Sequence, residues 1–165
     1  MQKIKFEDGL IIEILGKKYI IEHQDSLRGT TCFYENKILV FGYKEFLAKK
    51  ISVFFKDFLT KEIRTLVSNY TNIQNVKYNK ISVRNLTSRW GSCSSEGNLS
   101  FNLRLVFLPF ETLQYVVAHE VCHLLEMNHS NKFWIQVAKL IPNYKQSRIN
   151  LKTQAKIAFS YNLVD

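Results

Sequence analysis

His119-Glu120-Val121-Cys122-His123, followed after five residues by His129, places three of the chain's four histidines within eleven positions. On a helix, residues four apart stand one turn above each other, so His119 and His123 can turn two imidazoles toward one ion. Glu120 lies about 100 degrees round from His119, close enough to act on a metal-bound water without binding the metal itself. A catalytic zinc takes three protein ligands and keeps a fourth position open, so two histidines are one short. His129 is the natural third. A continuing helix would carry it roughly 9 Å past His123, so the chain must turn back after Glu126 or Met127. Asn128, which tolerates a left-handed conformation, and Ser130, a good helix cap, mark that break. The expected centre is mononuclear, one zinc per chain, although another divalent transition metal such as manganese, cobalt or nickel fits the same ligands.

The pattern around the motif supplies a scaffold. Pro109 precedes a helix expected over about 111–126, and a second helix is expected over 131–141, ended by Pro142. Upstream, Leu99, Phe101, Leu103 and Leu105 alternate with polar residues and predict a two-faced strand over 99–105. Residues 87–98 read as turn-rich, with Gly91, Gly97 and several serines. A long amphipathic helix is expected over about 44–69, with Phe46, Phe54, Phe55 and Phe58 as core anchors. Strands are expected over 4–6, 10–14, 19–21, 37–41 and 76–85. From Gln146 onward the form is left open, irregular or helical. No repeat, low-complexity tract or linker divides the chain, so one domain over 1–165 is expected.

Composition narrows the setting. A 46% hydrophobic, 22% charged chain is ordinary for a globular protein. No stretch reaches bilayer-spanning length, and no apolar leader precedes Glu7 and Asp8. Cys32, Cys93 and Cys122 are odd in number and lack CxxC spacing, which argues against a disulfide framework and predicts a cytoplasmic setting. The net charge of +9 is spread along the chain. It suits anionic partners in general, with nucleic acid only weakly supported. No membrane partner is expected.

Beyond the metal ligands, a donor must stabilise the developing oxyanion or hold the substrate. Arg89, Asn102, Arg104, Tyr144 and Arg148 are the candidates. Glu126 reads as an exposed acid or a carboxylate supporting a histidine ring. Trp90 reads as a packing residue of its loop against the helix of the motif. Phe133 and Trp134 read as anchors of the helix that positions His129. Cys122 reads as a small core residue. Cys93 reads as a turn or packing residue, and either cysteine could supply the fourth ligand of a non-catalytic site.

Arg89-Trp90-Gly91-Ser92-Cys93-Ser94, Phe101-Asn102 with Leu105, Tyr115 to Leu124, Asn128-His129-Ser130 and Phe133-Trp134 together resemble the YgjP-like metal-dependent hydrolase family, itself similar in outline to SprT-like and other zincin metallopeptidases. The resemblance implies an α+β, zincin-like single domain with a mainly antiparallel sheet beside the helix carrying HExxH. It implies His119, His123 and His129 as zinc ligands and Glu120 as general base. Glu126 stands where the similarly spaced metzincin peptidases have glycine, so membership of that clan is not implied. The leading expectation is a metallopeptidase in which Glu120 activates a zinc-bound water, with a peptide pairing on a strand edge near Asn102 or Arg104. A metal-dependent nucleoside triphosphate pyrophosphatase is the first alternative, since the arginines suit a phosphoanhydride. A structural-zinc module binding nucleic acid or protein is the second.

Overall fold

The computed structural model describes residues 3–164. Its first layer is a four-stranded sheet of β1 (Ile11–Ile14), β2 (Lys17–Gln24), β3 (Cys32–Tyr34) and β4 (Lys37–Phe41), in the order β1-β2-β4-β3. Leu15 and Gly16, both at positive φ, close the β1–β2 hairpin, a two-residue turn that suits the twist of the paired strands.

A short 3-10 turn, Lys44–Phe46, leads into α1 (Leu47–Gln74). Ile51, Phe55, Leu59, Ile63 and Val67 recur every four residues and are all fully buried, so α1 lays one continuous apolar face along the core. The helix runs five residues past the expected end, and Asn75 stops it in the left-handed conformation. Of the four aromatics expected to anchor it, Phe55 is buried, while Phe54 packs tilted and Phe58 edge-on against Phe33. Phe46 is 47% exposed, because it sits at the N-cap before the buried face begins.

The second sheet combines β5 (Lys80–Arg84), β6 (Gly91–Cys93) and β7 (Asn98–Asn102) in the order β5-β7-β6. β1–β2, β3–β4 and β6–β7 pair antiparallel, whereas β2–β4 and β5–β7 are parallel. The antiparallel majority is thus divided between two small sheets.

α1 separates the two sheets in sequence, and three further helices follow the last strand: α2 (Phe110–Cys122), α3 (Asn131–Leu140) and α4 (Tyr144–Ala158). α2 packs on α1, β6 and α4. The segment left open at the C-terminus is therefore mostly helix.

Several expectations shift: the helix expected over 111–126 ends at Cys122, and the strand expected over 76–85 is confined to Lys80–Arg84. The strand expected over 99–105 ends at Asn102, whose side chain accepts from the Arg104 N–H and starts a 3-10 turn over Leu103–Phe107. The apolar alternation continued into that turn, which is buried throughout. The strand expected over 4–6 shrinks to one bridge between Ile4 and Tyr161. β3 and β6 were unexpected, since each is only three residues long. No described helix is long and apolar enough to cross a membrane.

Candidate metal centre

α2 ends within the motif. His123 is its C-cap, and the next N–H groups fold back onto Val121 and Cys122 carbonyls. The chain then reverses, and the Ser130 hydroxyl caps α3 by accepting from the Phe133 N–H at 3.4 Å. This is the turn that the third histidine requires. Asn128 does not supply it through a left-handed conformation, since the described non-glycine residues at positive φ are Leu15, Glu35 and Asn75.

The three imidazoles meet. His119 Nε2 lies 3.2 Å from His123 Nε2 and 3.0 Å from His129 Nε2, and ligand nitrogens from all three lie within 4.8 Å of one another. Tetrahedral zinc with bonds of about 2.0–2.1 Å sets its ligand nitrogens about 3.3 Å apart. The tautomers also fit. The Glu126 main-chain oxygen lies 3.0 Å from His123 Nδ1 and can only accept, so His123 carries its proton on Nδ1 and presents a lone pair at Nε2. His119 Nδ1 lies 3.3 Å from the Tyr115 hydroxyl. With that nitrogen donating, two Nε2 lone pairs face each other at close range, an arrangement satisfied by a cation between them. Burial and the neighbouring imidazoles push His119 down to about 3, and burial likewise lowers His123. Both rings are held neutral, the form that binds a metal.

An aromatic wall fixes this geometry. Phe133 is fully buried and packs against all three imidazoles, with centroids 4.5–4.9 Å away. Trp134 stacks on His129 at 5.8 Å and on Tyr144 at 5.2 Å, and the Arg148 guanidinium lies 4.6 Å over the indole. Arg148 also carries its charge close enough to lower His119.

The opposite wall is β6. Glu120 is 6% exposed. Burial pushes its carboxyl up to about 8, against the opposing pull of the Arg89 charge. A Cβ placed on Gly91 would fall 2.8 Å from Glu120 Oε1, so glycine leaves the carboxylate its place against the strand. The Trp90 carbonyl accepts from the Asn102 N–H, and the Ser94 N–H donates to the Asn98 carbonyl. With Ser92 opposite Ser100 between them, antiparallel alternation turns the main-chain groups of Gly91 and Cys93 away from β7. β6 is an edge strand, so those groups point outward.

The five donor candidates separate. Arg89 stands near Glu120, and Tyr144 and Arg148 join the aromatic wall. Asn102 and Arg104 point inward and are corrected to structural roles. Asn102 is fully buried and donates to the Leu86 and Arg89 carbonyls, which shapes the loop entering β6. Arg104 is 7% exposed and donates to the Ala158 and Tyr161 carbonyls, tying the end of α4 to the core. Glu126 serves through its main-chain carbonyl, which no side-chain pattern announces. Trp90 packs on Phe159 at 5.0 Å, beyond the end of α4. Cys122 is fully buried. Among the described residues the metal-binding group contains no cysteine, and burial pushes the Cys93 thiol up to about 11. Tyr115 and Gly91 were missed. Tyr115 stands one helical turn before His119, a legible spacing, whereas Gly91 was hidden in a glycine- and serine-rich stretch.

A family model described as "YgjP-like, metallopeptidase domain" matches residues 1–154. The chain belongs to this YgjP-like family. Its site carries the family's metallopeptidase description onto a histidine triad that fits a divalent metal. Among solved structures, the zymogen of the Pyrococcus abyssi metallopeptidase abylysin is similar, with 23% identity and a TM-score of 0.50 over 62% of this chain and 99% of that one. The Methanocaldococcus jannaschii jannalysin zymogen gives 23% identity and a TM-score of 0.48, over 58% and 96%. The first likeness establishes a shared fold. Comparison with curated proteins gave no match.

Proposed function

We propose that this YgjP-like protein is a zinc-dependent peptidase whose substrate lies extended along the free edge of β6, with Glu120 as general base. The observation that carries the reading is that edge: outward-facing main-chain groups at Gly91 and Cys93, on the strand that abuts the Glu120 carboxylate. An extended peptide adds to such an edge through main-chain hydrogen bonds, which hold the scissile bond in register.

His119, His123 and His129 would hold the metal, and three neutral imidazoles favour zinc. Once bound, a divalent ion supplies Lewis acidity, making water more acidic and the carbonyl more electrophilic. The buried Glu120 carboxylate accepts a proton from the attacking water and returns it to the departing amine. Burial raises this carboxyl and a cation held by the histidines would draw it back down, and a value brought near neutral pH suits both transfers. Arg148, held over Trp134, offers positive charge to the developing oxyanion, with the Tyr144 hydroxyl beside it.

The phosphoanhydride alternative has less support. It called for converging arginines, yet Arg104 is committed to main-chain carbonyls, and Arg89 and Arg148 serve different walls of the site. The test is to incubate the zinc-loaded protein with a quenched fluorogenic peptide library and, separately, with nucleoside triphosphates. Peptide cleavage that disappears in Glu120→Gln, with zinc retained, is expected. Pyrophosphate release without peptide cleavage would replace this reading with the nucleotide one.

A further inference from the structure

The outer face of the three-stranded sheet is cationic and rich in hydroxyls. Ser82 lies opposite Ser100 in the β5–β7 register, and Ser92 lies opposite Ser100 in the β6–β7 register. A row of three serines therefore crosses the sheet. Lys80 and Arg84 share this face of β5, two residues either side of Ser82, and Arg89 enters from the loop before β6. Together these residues line a cleft of about 700 Å³ that has no carboxylate in its wall. Among the described residues the salt bridge found is Lys37 with Glu22, so Lys80, Arg84 and Arg89 form no described salt bridge, and the acids nearest the cleft are Glu120, which feels the Arg89 charge, and Glu96, which accepts from Asn98. Three clustered cations outside any described salt bridge outnumber the two neighbouring acids and hold a positive potential over the cleft.

The cleft is continuous with the proposed substrate edge. Cys93 lines it from β6, and Arg89 belongs to both the cleft and the surroundings of Glu120. A strand added to β6 would lie about 5 Å from Ser92. Its side chains would alternate, one set toward α2 and the histidines, the other over the serine row. Resting on the peptide reading above, we propose that this cleft selects acidic side chains, Asp or Glu, at the outward-facing positions of a peptide bound along β6. Arg89 is the first partner, the serine hydroxyls donate alongside it, and Arg84 and Lys80 act from behind. A nucleic-acid strand carries the same charge, but the lining contains no aromatic side chain on which bases could stack.

The test measures binding by fluorescence anisotropy on the zinc-loaded full chain carrying Glu120→Gln, so nothing is cleaved. The probes are a labelled decapeptide with Glu at alternate positions, its Gln and Lys counterparts, and a ten-residue oligothymidylate. The Glu peptide is expected to bind about fivefold or more tighter than the Gln peptide, the scale of one or two partly exposed ion pairs. Arg84→Gln with Arg89→Gln should bring that ratio to about one. Arg84→Glu with Arg89→Glu should invert the preference toward the Lys peptide, a result that misfolding does not produce. With Glu120 already replaced, the influence of Arg89 on that carboxyl does not enter. A ratio of one in the parent, a ratio that survives the substitutions, or tighter binding of the oligonucleotide overturns the proposal. Cleavage by the zinc-loaded wild type separates it from the reading beneath. Selective binding without cleavage supports the acidic cleft and removes the peptidase, whereas equal cleavage of Glu and Gln peptides keeps the peptidase and overturns the cleft.

Discussion

The two walls of the metal centre are built on opposite principles. On the α2–α3 side every imidazole is fixed by rings: Phe133 touches all three, and Trp134 adds a stack that reaches Tyr144 and Arg148. On the β6 side the residues are Gly91, Ser92 and Cys93, small and half-exposed, with main-chain groups turned outward. Close packing holds ligands in one geometry, and small residues on an edge strand leave room for another chain. In the proposed reading the first wall fixes the metal and the second gives the substrate its place. Substitutions in the two walls should therefore fail in different ways.

Glu120 stands between them and should give the largest effect. Glu120→Gln is expected to lower peptide turnover about 10²–10⁴-fold, the usual weight of a general base, with zinc still at one per chain. Atomic absorption alongside an activity assay checks both halves. Activity near wild type would remove Glu120 from the chemistry.

Phe133→Ala breaks the ring wall. Deleting a fully buried phenylalanine costs about 3–5 kcal/mol, which urea denaturation would read, and zinc affinity should fall with it because all three ligands lose a contact. Phe133→Leu should recover part of both. Unchanged zinc affinity in a destabilised Phe133→Ala protein would show that the ligands hold their geometry without the ring.

Gly91→Ala breaks the other wall. Its Cβ would collide with the Glu120 carboxylate, so kcat should drop about tenfold or more through a misplaced base, with zinc affinity unchanged. A loss of zinc instead would mean that the walls are not separable.

The smallest effect is in the pH dependence of the metal-free protein. His119 is held near 3 in the folded chain, against an ordinary value of 6.5. Between those values the unfolded chain binds the proton and the folded chain does not, so stability falls as pH drops from about 6.5 toward 3 and is flat above that window. His123 acts in the same direction. Urea midpoints of wild type and His119→Asn, compared at about pH 7.5 and pH 5, should show the larger acid loss in wild type. Equal losses would mean that the imidazole is not kept neutral by its surroundings.

The two walls were also unequally legible in sequence. Helical spacing brought His119 and His123 together, and the need for a third ligand identified His129 and located the turn near Glu126. Phe133 and Trp134 were read as anchors, and both pack on the ligands. β6 was not legible, because three residues in a stretch of glycine and serine carry no periodicity. Asn102 and Arg104 were placed on the substrate side because polar residues alternating with apolar ones predict a wet face. The alternation stops at Asn102, where the chain enters a buried 3-10 turn and both side chains find main-chain partners. Such partners depend on tertiary packing, which no local pattern contains.

The central claim is a metal held by three imidazoles with its remaining position open to water or substrate. X-ray absorption at the zinc edge of the zinc-loaded protein tests it most directly. The account predicts three imidazole nitrogens and one light oxygen donor at about 2.0–2.1 Å, with the oxygen exchangeable by a small anion. A sulfur shell at about 2.3 Å, supplied by Cys93, would close the fourth position and contradict the account.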